Sequence, residues 1–95
     1  MITIEPVNKP GDHKSGSLVN LKYEEIEYVL GAPNVKDDVT KVKHSWGFTA
    51  TMHTGVTYRC GIWSYKGSEE YDEWSFYGPA LVMEALFGKH NIRSR

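Results

Sequence analysis

The sequence is poor in the residue types that usually carry chemistry. Its 95 residues include one cysteine, Cys60. A single thiol excludes an internal disulfide framework and paired-cysteine metal motifs, and it suits a reducing compartment. No apolar run approaches the roughly 18 residues that a membrane-crossing helix needs. The opening MITIEPVNKP lacks a basic stretch followed by an apolar one, so no secretory leader is expected. An excess of one charge is also missing: Lys and Arg total 11, Asp and Glu 12, and the net charge is -1. No global field therefore favours nucleic acid or an anionic membrane. His13, His44, His53 and His90 form no i, i+4 pair, and no metal-ligand set converges on them. No G-x-S-x-G elbow or phosphate-binding loop occurs. These absences lead to the expectation of a protein without catalytic residues, metal or cofactor.

What the chain does have is aromatic side chains, 13% of all residues, concentrated between Lys43 and Pro79. Trp46, Phe48, Ala50 and Met52 alternate with Ser45, Gly47, Thr49 and Thr51, the period-two pattern of a strand with one buried face. Val56, Tyr58, Cys60 and Ile62 repeat the pattern against Thr57, Arg59, Gly61 and Trp63. A two-residue turn at Thr54-Gly55 would set Met52 against Thr57 and mix apolar with polar. A three-residue loop, His53-Thr54-Gly55, sets Met52 against Val56, Ala50 against Tyr58, Phe48 against Cys60 and Trp46 against Ile62. It also places Gly55 at the left-handed position such loops require. A third strand is expected from Asp72 to Gly78. Pairing Ile62 with Trp74 and Cys60 with Phe76 leaves Lys66 to Glu70 as the loop. On the opposite face this sets Arg59 against Tyr77, Gly61 against Ser75 and Trp63 against Glu73.

The rest of the chain supplies helices and connections. Residues 1–17 read as an N-terminal strand, Ile2 to Val7, followed by a loop rich in proline, glycine and polar residues. Residues 18–31 hold a helix whose body is Leu21 to Leu30, with Ile26, Val29 and Leu30 on one stripe. Leu21 and Ile26 have the spacing of a hydrophobic staple, which places Lys22 at the cap, although Asn20 is chemically the better capping residue. Gly31 and Pro33 end the helix. Asn34 to Lys43 reads as a linker; its Asp37-Asp38 pair resembles half of a metal site but is the usual content of a turn. The sheet occupies residues 43–78. Residues 79–88 form a second helix that is apolar almost all round, suited to burial on more than one side or to homo-oligomer contacts. Residues 89–95 are a basic tail, expected to be disordered. The fold class is α+β: a two-layer domain in which a three-stranded antiparallel meander, with a candidate fourth N-terminal edge strand, packs against two helices.

Two resemblances bear on this order. YEEIEYVLGAPN followed by SWGF and a hairpin is similar to the helix-then-meander pattern of SmpA/BamE-type lipoproteins and related inhibitor domains. It covers about half the chain and implies fold alone, because the lipid-bearing cysteine of those proteins has no counterpart. The series IWSYKG, WSFYGP and EALFG, at Ile62–Gly67, Trp74–Pro79 and Glu84–Gly88 after VLGAP, resembles small proteins of unknown function encoded in bacteriophage genomes. That resemblance implies a context, the cytoplasm of a bacterial host, and a mode of action, binding and blocking host machinery such as antiviral defences. It implies no catalytic residues.

The expected register places the candidate site residues. Cys60 and His44 could make a nucleophilic dyad, but their rows stand four residues apart, roughly 13 Å, so Cys60 reads as a buried hydrophobe. Glu69, Glu70, Asp72 and Glu73 read either as a mimic of a nucleic-acid backbone or as a solvated loop protecting a sheet edge. Trp63 is the sharpest feature. It falls on the outer face with Arg59, Tyr65, Tyr77, Lys66 and Thr49, residue types that dominate binding surfaces or stack on bases. Either the N-terminal segment covers this cluster, or it is an interface for a host protein, or it is a pocket for a nucleotide-type ligand in an oligomer. The expected function is non-enzymatic binding.

Overall fold

A computed structural model of the chain describes residues 2–9, 13–36 and 41–94. The Asp37-Asp38 pair lies outside the described residues. The α+β class holds, but the sheet is larger than the sequence suggests. Among the described residues, six strands, β1 (Thr3–Pro6), β2 (Gly16–Leu18), β3 (Val42–Thr51), β4 (Thr57–Tyr65), β5 (Trp74–Tyr77) and β6 (Ile92–Ser94), lie in the order β1-β3-β4-β5-β2-β6, every neighbouring pair antiparallel. The helices α1 (Tyr23–Leu30) and α2 (Ala80–Phe87) cover one face. Among the described residues no helix is long and apolar enough to cross a membrane.

The β3–β4 hairpin has the register that alternation demands. Ala50 faces Tyr58, Phe48 faces Cys60 and Trp46 faces Ile62. The Met52 N–H donates to the Val56 carbonyl at 2.9 Å, and the Gly55 N–H donates to the Met52 carbonyl at 2.8 Å with Gly55 at φ 90. The next pairing corrects the expected one. Ile62 faces Phe76 rather than Trp74, Gly61 faces Tyr77 rather than Ser75, and Trp63 faces Ser75 rather than Glu73. Cys60 with Phe76 and Arg59 with Tyr77 are likewise not partners. The cause is the connection: Lys66, Gly67 and Asp72 are all left-handed, and a 3-10 turn, Ser68–Tyr71, sits among them. That device needs more chain than a simple loop. Because the slip is two residues, each side chain keeps its face.

Two further corrections enlarge the sheet. The end of the expected N-terminal loop is β2, which joins β5 and β6. The expected disordered tail is a short 3-10 turn, Lys89–Asn91, followed by β6, the edge strand beyond β2. Asn91 secures this turn by donating its side-chain N–H to the Val19 carbonyl at 2.9 Å. The N-terminal segment is an edge strand as expected, with Ile4 opposite Ala50.

The core lies between the even-numbered sheet face and the helices. Trp46, Phe48, Ala50, Cys60, Ile62, Trp74, Phe76 and Leu18 meet Ile26 of α1 and Val82 and Met83 of α2, all buried. Both buried indoles find acceptors. Trp46 Nε1 donates to the Gly31 carbonyl and Trp74 Nε1 to the Leu21 carbonyl, each at 2.8 Å. These carbonyls flank the two ends of α1, so the helix is fastened to the sheet at both ends. Lys22 is the residue preceding α1, as the staple spacing indicates, and its N–H donates to Glu25 Oε1 at 3.0 Å. That bond is one arm of a capping box; the Glu25 N–H is met by the Lys22 carbonyl at 3.0 Å, since a lysine supplies no side-chain cap.

On the other face, the chain leaving β1 folds over Gly47. The Val7 N–H donates to the Gly47 carbonyl at 2.9 Å. Asn34 closes the same edge: its Nδ2 donates to the carbonyls of Val7 and Gly47, and its Oδ1 accepts from the Gly47 N–H. A Cβ at position 47 would collide with the Val7 carbonyl oxygen and lie 2.5 Å from that of Lys9. Backbone cannot yield as a flexible side chain does, so Gly47→Ala is expected to destabilise the fold by about 2–3 kcal/mol. Urea denaturation would show this as a lower midpoint at an unchanged slope.

Candidate functional site

The outer, odd-numbered face of the sheet can be read row by row. Thr49 faces Arg59; Gly47, Gly61 and Tyr77 form the next row; Ser45, Trp63, Ser75, Ser17 and Arg93 form the third. Tyr65 follows Trp63 along β4 on the same face. Small residues fill most of this surface, and Ser17, Ser45 and Ser75 are buried.

The six expected site residues do not act as one cluster. Arg59 and Trp63 stand four residues apart on β4, roughly 13 Å. The N-terminal segment runs along the Arg59 side. An Arg59 guanidinium N–H donates to the Lys9 carbonyl at 3.4 Å, and the His13 ring meets Tyr77 edge-on at 5.5 Å. The Ser15 N–H donates to the Phe76 carbonyl at 2.7 Å, and Ser15 Oγ accepts from the Gly78 N–H at 3.2 Å. Thr49, Arg59 and Tyr77 are therefore all half-buried.

Trp63, Tyr65 and Lys66 occupy the other end. Trp63 is half-buried and Tyr65 is 41% exposed; together with Lys14 and Ser75 they line an open depression of about 420 Å3. The Lys66 ammonium lies 5.3 Å from the centre of the Tyr65 ring, within cation–π range. Lys14 comes from the segment that composition marks as a solvated loop, and no local pattern links it to Trp63.

A second constellation was not legible in the sequence. His44 Nδ1 lies 2.9 Å from Glu69 Oε1, with both side chains largely shielded. The Tyr23 ring stacks obliquely on His44 at 4.6 Å and on Trp46 at 5.7 Å, and its hydroxyl donates to Glu27 Oε2 at 3.3 Å. Burial, reinforced by the Glu27 carboxylate, holds the Tyr23 phenol above its ordinary pKa. The pair ties the 3-10 turn to β3 and fixes the orientation of the imidazole. His44 also donates its backbone N–H to Ser64 Oγ at 3.1 Å, the neighbour the register predicts.

The acidic run is dispersed rather than displayed. Glu69 engages His44, Asp72 receives Lys22 Nζ at 3.3 Å, and Glu73 lies 3.8 Å from Arg93. Three carboxylates thus reach toward three different elements, which does not reproduce a phosphate row. The two exposed pairs contribute little, on the order of 0–1 kcal/mol each. Among the described residues, no three His, Cys, Asp or Glu side chains gather as a metal would require.

The helical side carries a depression of its own, about 360 Å3, between α1 and α2. Leu21, Val29, Leu86 and Phe87 line it with Glu24, Glu25 and Tyr28. Comparison of the chain with protein-family models, with curated proteins and with solved structures finds no match.

Cys60 lies in the core opposite Phe48. Burial pushes its thiol pKa up to about 11 from the ordinary 9.0. The native state therefore holds its proton in a range where the unfolded chain releases it. Stability from this group is full below pH 9 and falls as pH rises toward 11, by up to about 2–3 kcal/mol at 1.36 kcal/mol per pKa unit. Denaturation of the wild type and Cys60→Ala between pH 8 and 11 checks this: the wild type is expected to lose stability more steeply. Native Cys60 should also resist thiol reagents at neutral pH and react fully in denaturant.

Proposed function

We propose that the protein is a non-enzymatic binding protein that engages a host defence or regulatory protein through the open end of its outer sheet face. Trp63 carries the reading. A half-buried indole at the edge of a depression, with Tyr65 beside it and Lys14 and Lys66 nearby, gives a rigid aromatic anchor with cationic neighbours. Such residues supply most of the energy of protein interfaces. The resemblance to small phage-encoded proteins supports the class of partner and a place in the bacterial cytoplasm. Arg59, Tyr77 and Thr49 play a supporting part by holding the N-terminal segment that brings Lys14 to the rim.

The same depression favours a second reading. An indole and the Lys14 amine at the depression, with Lys66 against the neighbouring Tyr65 ring, suit the base and phosphate of a nucleotide. Such a binder would sequester a nucleotide-type signal, with residues 79–88 joining subunits, where Leu81 is 49% exposed.

Affinity capture from a bacterial host lysate, repeated with Trp63→Ala and Lys66→Glu, separates these readings. On the first, a host protein is retained by the wild type, and retention falls at least about tenfold with Trp63→Ala, the scale of an interface hot spot. Full retention by both variants would remove this face from consideration. Calorimetry against cyclic nucleotides, with light scattering for the oligomeric state, tests the second; a monomer silent to every nucleotide ends it.

A further inference from the structure

We infer that the groove between α1 and α2, on the side of the molecule opposite Trp63, docks a short cationic amphipathic helix of a partner protein. The floor is apolar: Leu21, Val29, Leu86 and Phe87. Tyr28 stands at its rim 92% exposed, although most of the chain's aromatic side chains are at least partly buried. A large, rigid ring held in solvent contributes nothing to the domain's own core, and it is the kind of residue that anchors an interface.

Charge selects the occupant. The polar residues lining the groove are Glu24 and Glu25. The two helices together carry Glu24, Glu25, Glu27 and Glu84 and no lysine or arginine. Lys22 beside the start of α1 is turned to Asp72 at 3.3 Å, and Lys89 lies past the end of α2, so the charged residues lining the groove are both acidic. An acidic rim around an apolar floor disfavours a phosphate, a nucleic acid or an anionic membrane, and a second copy would bring a like-charged rim. A segment with lysine or arginine flanking apolar anchors satisfies both parts.

Backbone chemistry selects its conformation. Helical walls offer no free strand edge, so an extended peptide would bury unpaired backbone groups, whereas a helix arrives with its own hydrogen bonds made. Each wall is 8 residues long, about 12 Å at 1.5 Å per residue. The groove therefore holds about two turns, enough for anchors at i, i+3 or i+4, and i+7.

The test uses a fluorescent Leu/Lys peptide of about 14 residues with leucines at helical spacing, alongside an oligolysine of equal length. The Leu/Lys peptide is expected to bind and to shift the backbone amide signals of residues 21–29 and 81–87. Tyr28→Ala and Glu24→Lys, both at exposed positions that leave the core intact, should each weaken it about tenfold, while Trp63→Ala leaves it unchanged. Equal binding of oligolysine, shifts confined to the sheet, or occupation of the groove by a second copy at rising protein concentration without peptide would each overturn the proposal.

Discussion

Two indole N–H bonds hold the architecture together. Trp46 on β3 and Trp74 on β5 project from the same sheet face, and their rings meet at 5.5 Å and 67°. Each donates to a carbonyl just beyond one end of α1. An indole N–H buried without a partner would cost about 1–3 kcal/mol, and an eight-residue helix is marginal without tertiary support. Each deficiency is met by the other. The consequence is geometric: with both ends fixed, α1 has little freedom to slide, and the groove it makes with α2 is a property of the fold rather than of chance packing.

The legible parts of this fold are those where a side-chain pattern decides. Alternation from Ser45 to Met52 and from Val56 to Trp63 admits one pairing that keeps apolar against apolar, and Gly55 supplies the turn it needs. The β4–β5 pairing was legible only in parity. Trp74 and Phe76 had to face inward, but their partners depended on how much chain the connection consumes. Nothing in KGSEEYD announces left-handed Lys66 and Asp72 around a 3-10 turn. β2 and β6 were illegible for a different reason. Gly-Ser-Leu and Ile-Arg-Ser are too short to alternate; they are strands because β5 has an open edge and β2 then offers another. Their strand state belongs to the sheet and not to the segments.

The candidate site shows the same division. The face carrying Trp63 followed from parity and survived the two-residue slip. Which neighbours Trp63 has did not follow, because one of them, Lys14, comes from a segment with no strand pattern. The chain leaving β1 is fixed at Gly47, where backbone oxygens of Val7 and Lys9 approach too closely for any side chain, and at Asn34, whose amide stands in for a missing strand partner. Lys14 is held at the Trp63 end by its own neighbours, His13 against Tyr77 and Ser15 bonded to the Phe76 carbonyl and the Gly78 N–H. Close backbone approach on this face is seen at Gly47, which pairs with Gly61 across β3 and β4.

The result is a domain with two unlike surfaces on opposite sides of one sheet. Both arise from how a small chain disposes of its polar groups. The helices are short and spend their interior positions on the core, so their remaining positions fall to glutamates, which the first turn of α1 favours electrostatically. The cations are left to strands, loops and the C-terminal edge. With a net charge of -1 the chain presents no single field, and its two surfaces differ in local features: an indole near Lys14 on one side, an apolar trough beside Glu24 and Glu25 on the other. On the proposed readings, an occupant of the wrong charge would lose its hydration on either face without a compensating contact.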